Sequence, residues 1–282
     1  MAELPKTEES KKIVILKDKD FFKHFNLEIV KVLGKGLDGK VFLASSPGGL
    51  MAVKIFDRTQ RNPRRVCRFV TEFMNMQKLS HPHLVPCFHV ARCKDYFAFS
   101  MPYYSGGDLV PVLQGRRPMD TAAILRCMLE VTFAVEYLHM RCLAHNDIKL
   151  DNVFLDSSGR AHLGDLGFVK NVTTACRTTL ACSLGGTPSY WGPERFQEGS
   201  LKRVDPFKGD VYSIGVMCWL LVSKDKQGEN VDYQTRVKTA TDLCMSPSLR
   251  SALEQMLEPD PAKRPTVSNV LQLLIVASRF YE

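Results

Sequence analysis

The sequence predicts an α+β chain in which a small antiparallel sheet with one helix precedes a larger, mostly helical part. Three observations predict it. The first hundred residues carry short apolar runs that alternate and are punctuated by glycine. Beyond them apolar residues recur with helical spacing. Between the two lies Ser105-Gly106-Gly107, which reads as a hinge. A run of strands followed by a run of helices is the order of an α+β chain rather than of an alternating α/β one.

Residues 1 to 26 are polar and are expected to form a frayed or loosely docked extension. From Leu27 the run LEIVKVL passes into GKGLDGK, then VFLA, a turn at Ser45-Ser46-Pro47-Gly48-Gly49, and LMAVKIF. That order reads as strand, glycine-rich turn, strand, turn, strand: an antiparallel meander. Arg65 to Leu79 sets Val66, Phe69, Val70, Phe73 and Met74 at helical spacing and stops at Ser80-His81-Pro82. Two short strands are expected around Val85 to Ala91 and Tyr96 to Met101. Past the hinge, Thr121 to His139 carries Ala122, Leu125, Leu129, Thr132, Phe133, Val135 and Leu138 on one broad face. Asp210 to Val222 reads as a buried helix, and Ser248 to Leu257 and Val267 to Ser278 as two closing ones. Asp165 to Glu194 has little periodicity; an irregular stretch of that length inside a compact domain is normally functional.

Of the 282 residues, 45% are hydrophobic and 24% charged, which excludes disorder as the main state. No run is long and apolar enough to span a bilayer; the nearest, Val211 to Val222, is interrupted by Tyr212 and Ser213. The amino-terminal MAELPKTEESKK lacks the apolar core of a signal peptide. Nine cysteines without C-x-x-C pairing point to reduced thiols and to an intracellular chain, cytoplasmic or nuclear. A net charge of +8 favours anionic partners in general, but no basic run interleaved with aromatics marks a specific nucleic acid. Arg58, Arg61, Arg64, Arg65 and Arg68 read as a solvated face.

The chemistry-bearing residues come in three groups. Gly34, Gly36 and Gly39 sit in a turn between two strands, where backbone N–H groups can approach a phosphate chain; the turn lacks the following helix of a dinucleotide fingerprint. Lys54 ends the apolar Ala52-Val53-Lys54 run and can neutralise phosphate oxygens. A partly buried lysine needs a carboxylate, and Glu72 on the following helix is the candidate. The third group is LAHNDIKLDNVFL over 143–155, with Asp147, Lys149 and Asn152, followed by Gly164-Asp165-Leu166-Gly167. One carboxylate to orient a hydroxyl, a carboxylate and an amide for Mg²⁺, and a lysine for a terminal phosphate fit phosphoryl transfer.

In this order the motifs resemble those of the eukaryotic protein kinases, over roughly Leu27 to Leu274. The resemblance implies a two-lobed kinase domain over 27–275, with lobes at 27–102 and 108–275, a hinge at 102–107, the polar extension 1–26 before it and a tail 276–282 after it. It implies ATP and Mg²⁺ in the cleft. Gly34, Gly36 and Gly39 would cover the nucleotide, and Lys54 paired with Glu72 would hold its phosphates. Asp147 would be the base-like aspartate, Lys149 would meet the transferring group, and Asn152 and Asp165 would hold the metal. Val41 and Ala52 would pack on adenine, beside the gatekeeper Met101. Pro102 and Tyr104 would offer it backbone hydrogen bonds, and Asp108 would reach the ribose. Glu194, Asp210 and Arg264 match the structural acid–arginine framework. Lys149 and the Gly186-Thr187-Pro188-Ser189-Tyr190-Trp191-Gly192-Pro193-Glu194 run resemble the serine/threonine branch, with Thr187 bonded to Asp147 and Lys149. The implied partner is therefore a protein substrate with Ser or Thr. Asp108 and Asp151 sit where some members place carboxylates for substrate arginines, while the third such position is Leu220.

The chain departs from the pattern at Asn146, which stands where an arginine usually precedes the catalytic aspartate. That arginine pairs with an activation-segment phosphate, a contact an amide supplies feebly. The expectation is a kinase that does not depend on that phosphate, with Ser183, Thr173, Thr174, Thr178 and Thr179 as candidate phosphosites. Leu166 replaces Phe, and would stack with His145, Met76 and Cys87; Gly192 replaces Ala. Two alternatives remain beside this reading: a pseudokinase serving as scaffold or allosteric regulator, and a small-molecule phosphotransferase of the same fold. Filled catalytic positions weigh against the first, and the 186–194 run against the second.

Overall fold

The computed structural model describes residues 13–16, 20–36, 39–57, 63–172, 178–196, 202–225, 227–243 and 245–281. The chain divides into two units. One reaches to Ser80 and resumes over Leu84–Tyr104; the other comprises His81–His83 and Ser105–Glu282.

In the first unit the elements run β1 (Val14–Ile15), α1 (Phe21–His24), β2 (Glu28–Gly36), β3 (Gly39–Ser46), β4 (Gly49–Asp57), α2 (Pro63–Lys78), β5 (Val90–Arg92) and β6 (Tyr96–Pro102). They form one six-stranded sheet in the order β1-β5-β6-β4-β3-β2. The meander is antiparallel as expected, but β1 joins β5 in parallel, so the sheet is mixed. Phe56, Phe97 and Phe99 share one face, which α2 covers by stacking Phe69 on them at 5.4, 5.7 and 5.4 Å. The buried stripe of α2 is Phe69, Glu72, Phe73 and Met76, whereas Val70 and Met74, expected on it, are exposed.

The other face carries Ala44, Met51, Val53 and Ala98, and it is closed by Leu16, Phe21, Phe22 and Leu27. Residues from Ile13 to Asn26 that the structure describes are therefore a layer of the fold, not the loosely docked polar extension expected. Asp20 caps α1 by accepting from the Phe22 and Lys23 backbone N–H groups. The Tyr96 hydroxyl donates to the Asp20 carboxylate at 2.7 Å and accepts from the Phe21 N–H at 3.0 Å. Phe21 and Phe22 are both buried, and burying a phenylalanine side chain is worth about 1.5–3 kcal/mol.

The second unit contains α3 (Val110–Leu113), α4 (Thr121–His139), β7 (Leu143–Ala144), β8 (Val153–Leu155), β9 (Ala161–Leu163), β10 (Lys170–Asn171), β11 (Thr179–Leu180), β12 (Arg203–Val204), α5 (Pro206–Ser223), α6 (Tyr233–Thr239), α7 (Pro247–Met256) and α8 (Val267–Ser278). Helix α4 starts at Asp120, whose carboxylate accepts from the Ala123 N–H, and α8 at Thr266, which accepts from Asn269. Helix α4 packs on α5 and α8. Helix α5 is apolar around its circumference and buried from Asp210 to Leu221. Phe133, expected on the inner face of α4, is 41% exposed; Ile124, Met128 and Val131 fill that face instead. The described residues of the stretch 165–194 include β10, β11 and short 3-10 turns. Strands β7 and β10, β8 and β9, and β11 and β12 form three two-stranded ladders.

Cys67, Cys87, Cys93, Cys127, Cys142 and Cys218 are free thiols, and burial pushes those of Cys127 and Cys218 up to about 12. Among the described residues no helix is long and apolar enough to cross a membrane.

Candidate active site

In the first unit the site residues share one side of the sheet. Val41 faces Lys54 across β3 and β4, Ala52 faces Met101 across β4 and β6, and Lys54 faces Phe99. Directly opposed residues, and residues two apart on one strand, point to the same side. Val41, Ala52, Lys54 and Met101 therefore line the face that α2 partly covers. The stripe of α2 that buries Phe69 and Phe73 also carries Glu72, which receives the Lys54 ammonium at 2.6 and 2.8 Å. The lysine and glutamate side chains are 13% and 6% exposed, so each charge has lost most of its water and depends on the other. Gly34 pairs with Val41 and Gly36 with Gly39 at the end of β2 and β3 where the chain passes from one to the other; Leu37 and Asp38 lie outside the described residues. Pro102 ends β6 opposite Met51, and Tyr104 is the last residue of the unit.

In the second unit, Asp210 organises the loop that carries Asp147. The Asp210 carboxylate accepts the backbone N–H groups of His145 and Asn146 at 2.7 and 2.8 Å and contacts His139 Nε2 at 2.9 Å. Pinned this way, the loop turns sharply, with Asn146 at φ 65°. Asparagine is one of the few residues that tolerates that conformation. The Asp147 N–H donates to His145 Nδ1 at 3.2 Å, which assigns the ring proton to Nε2, 3.2 Å from the Gly164 carbonyl.

The Asp147 side chain is buried and has three partners. The Thr187 hydroxyl donates to Oδ1 at 2.7 Å, Asn152 Nδ2 donates to Oδ2 at 3.0 Å, and the Lys149 ammonium lies 3.2 Å from Oδ2. Lys149 also donates to Thr187 Oγ1 at 2.9 Å, closing a ring of three side chains. The hairpin of β8 and β9 brings Asn152 and Asp165 to one end: Val153 opposes Leu163, and the Gly164 N–H donates to the Asn152 carbonyl at 2.8 Å. Asp165 stands in the left-handed region at φ 54° and accepts from the Gly167 N–H at 3.3 Å.

These donors fit a hard divalent cation. Asn152 Nδ2 is committed to the Asp147 carbonyl and carboxylate, which leaves the amide oxygen for coordination beside the Asp165 carboxylate. Among the described residues no group of three or more His, Cys, Asp or Glu could hold a metal. A two-ligand set suits Mg²⁺, which keeps waters and substrate phosphates as its remaining partners.

Glu194 and Arg264 form the framework beneath. Arg264 is buried, and each of its five N–H groups has an acceptor: both Glu194 oxygens at 2.7 and 2.6 Å, and the carbonyls of Glu258, Lys208 and Pro259. Asp108 accepts from the Val110 N–H at 2.9 Å; burial raises its pKa, Asp151 adds to the rise, and Arg117 and Arg116 oppose it. Leu220 is buried inside α5, away from any surface.

Sequence reasoning did not foresee two roles here. Asn146 appears in the motif as the absence of an arginine, yet its amide donates to the carbonyls of Ala144 and Phe168, both at 3.1 Å. It thereby ties the Asp147 loop to the 3-10 turn after Asp165. Arg195 hydrogen-bonds the Leu184 and Gly185 carbonyls, and nothing in its spacing marks it. Thr173 and Thr174 lie outside the described residues, as do Arg58 and Arg61.

Comparison with known proteins points the same way. The family described as protein kinase domain matches residues 27–274. The chain is 28% identical over 253 residues to the serine/threonine-protein kinase SIK2 of Gallus gallus, covering 87% of this chain and 31% of that protein. It is 31% identical over 200 residues to the CBL-interacting serine/threonine-protein kinase 18 of Arabidopsis thaliana, 70% of this chain and 38% of the relative. Against the CBL-interacting protein kinase 3 of Oryza sativa subsp. japonica it is 28% identical over 256 residues, 87% and 56% of the two chains. The chain thus spans between about a third and just over half of these relatives.

Proposed function

This chain belongs to the protein kinase domain family, and from that membership we propose that it transfers the terminal phosphoryl group of ATP to serine and threonine hydroxyls of proteins. The observation that carries the proposal is the Asp147–Thr187–Lys149 ring, with Asn152 and Asp165 at the adjoining hairpin end. A side chain that receives a hydroxyl proton must keep a free acceptor direction and a fixed rotamer; Asp147, held from two sides, has the second by construction.

In this reading the substrate oxygen attacks the terminal phosphorus, ADP leaves, and the hydroxyl proton passes to Asp147. Lys149 adds positive charge where the transferred group carries negative charge, and Lys54, aligned by Glu72, does so for the other phosphates. Asn152 and Asp165 would hold Mg²⁺, which when bound neutralises phosphate charge. Val41, Ala52 and Met101 offer an apolar surface to adenine, Pro102 and Tyr104 backbone groups to its edge, and Asp108 a carboxylate to the ribose. Thr187, fixed on both Asp147 and Lys149, supports the serine/threonine class that two of the relatives' names state.

Asp108 and Asp151 would favour basic residues flanking the acceptor. Arg116 and Arg117 weaken that preference, and Leu220 adds no carboxylate to it. The test is transfer of labelled phosphate to a generic basic protein, expected from the wild type and lost in Asp165→Ala and Asp147→Asn. Equal transfer by wild type and Asp147→Asn would overturn the assignment. A wild type that transfers nothing would leave the scaffold alternative.

A further inference from the structure

Arg195 follows Glu194 in a 3-10 turn, Pro193–Arg195, so the bidentate Glu194–Arg264 pair fixes its backbone. Its guanidinium lies 3.6 Å from the centre of the Trp191 ring. From there Nη1 donates to the Gly185 carbonyl and Nη2 to the Leu184 carbonyl, both at 3.0 Å. Burial pulls the Arg195 pKa down to about 10, with Glu194, Asp210 and Asp147 opposing, so the group is charged at neutral pH.

The stretch it grips is enclosed on its other sides. A Cβ at Gly185 would fall 2.0 Å from the Phe168 ring, and one at Gly186 would fall 2.2 Å from the Asn146 carbonyl oxygen. The next residue is Thr187, in the ring with Asp147 and Lys149. Asn146 supplies no cation here, since a carboxamide is neutral, and its N–H groups go to the Ala144 and Phe168 carbonyls. Arg195 and Asn146 nevertheless line one small cavity, together with Leu184, Trp191 and Asp210.

We propose that Arg195 is a positioning residue that fixes Leu184–Thr187, and through it Thr187 on Asp147, with no phosphate on the segment. A planar fork can span two successive carbonyls from a rigid base, whereas a lysine ammonium is a single point of donation. The competing source of order is a phosphate on Ser183. That hydroxyl is already engaged, receiving Lys170 Nζ at 2.6 Å and donating to the Leu180 carbonyl at 2.7 Å.

The test is hydrogen exchange on the full chain: wild type before and after phosphatase treatment, Arg195→Met and Arg195→Lys. Losing charged hydrogen bonds should speed exchange across Leu184–Thr187 about tenfold or more in both variants. Helices α4, α5 and α8 should keep their protection, and phosphatase should leave the wild type unchanged. Unchanged protection in both variants, or its loss on phosphatase treatment, would overturn the proposal. If Arg195→Met fails to fold, Arg195→Lys alone decides. The kinetic consequence rests on the phosphotransfer reading: KM for the protein substrate should rise while KM for ATP stays. A parallel rise in both would also overturn it. A wild type without phosphotransfer would sink that reading, while exchange would still decide the role of Arg195.

Discussion

The side-chain amide of Asn146 donates to the carbonyl of Phe168 at 3.1 Å, joining the loop before Asp147 to the 3-10 turn that follows Asp165. The same nitrogen serves Ala144, and the residue holds φ 65°. Two demands therefore meet at one position: a short amide and a left-handed backbone. Asn146→Ala loses the amide and strains the backbone, and should cost about 2–4 kcal/mol in urea unfolding. Asn146→Gly loses the amide alone and should cost less, although it removes more atoms. An Ala variant no less stable than the Gly variant would show that the backbone conformation carries no strain.

The Glu194–Arg264 pair tests the framework. Both groups are buried, and the guanidinium has no spare N–H. Removing the carboxylate strands a charge in a buried site, so Glu194→Leu should cost about 3–5 kcal/mol. Pairing it with Arg264→Met should recover part of that loss, because an apolar pair needs no partner. The check is a double-mutant cycle by chemical denaturation, with the double variant more stable than Glu194→Leu.

Stability should fall as pH drops below neutrality. His81, His89 and His162 all have pKa values below the ordinary 6.5, each chiefly through burial. His83 and Arg141 lower His81 further and His24 lowers His89, while Asp156 partly offsets the effect at His162. A depressed histidine pKa means that the unfolded chain takes up the proton first. The stability these groups contribute is thus complete above about 6.5 and is lost as pH falls toward their folded values. Urea midpoints measured between pH 7.5 and 5 should decline, and His89→Gln should flatten the decline. A midpoint that holds or rises across that interval contradicts the burial argument.

What the sequence made legible follows from how local each signal is. Asp147, Lys149 and Asn152 stand within one short segment, so their spacing carries their meaning. Helices α4 and α8 run over the expected Thr121–His139 and Val267–Ser278 because Asp120 and Thr266 cap them visibly. Less was legible where burial depends on distant partners. Phe21 and Phe22 stand among charges with no period of their own, and only the uncovered face of Val53 and Ala98 gives them a place. In α2 a buried Glu72 interrupts the apolar stripe, so the spacing favoured Val70 and Met74, which are exposed. Helix α6 is short and polar, and Arg195 acts on carbonyls, which no side-chain pattern reveals.

Gly186 offers the sharpest separation of site from scaffold. It has φ 108°, a conformation that side chains rarely adopt, and a Cβ there would lie 2.2 Å from the Asn146 carbonyl oxygen. That contact is with backbone, which cannot rotate away, so Gly186→Ala must move the chain one residue before Thr187. The Thr187 hydroxyl sits 2.7 Å from Asp147, and a misplacement of about 1 Å at such a contact costs about a hundredfold in rate. Phosphotransfer by Gly186→Ala should fall by about that factor, while the buried helices α4 and α5, which do not contain it, keep the thermal midpoint within a few degrees. Gly209→Ala is the control. It lies in α5, where a Cβ would meet nothing within 4 Å. Alanine is the better helix former, so this change should add about 0.5–1 kcal/mol of stability and leave the rate alone. Full activity in Gly186→Ala would mean that Thr187 can reach Asp147 from a different backbone, and the geometric case for its positioning would fail.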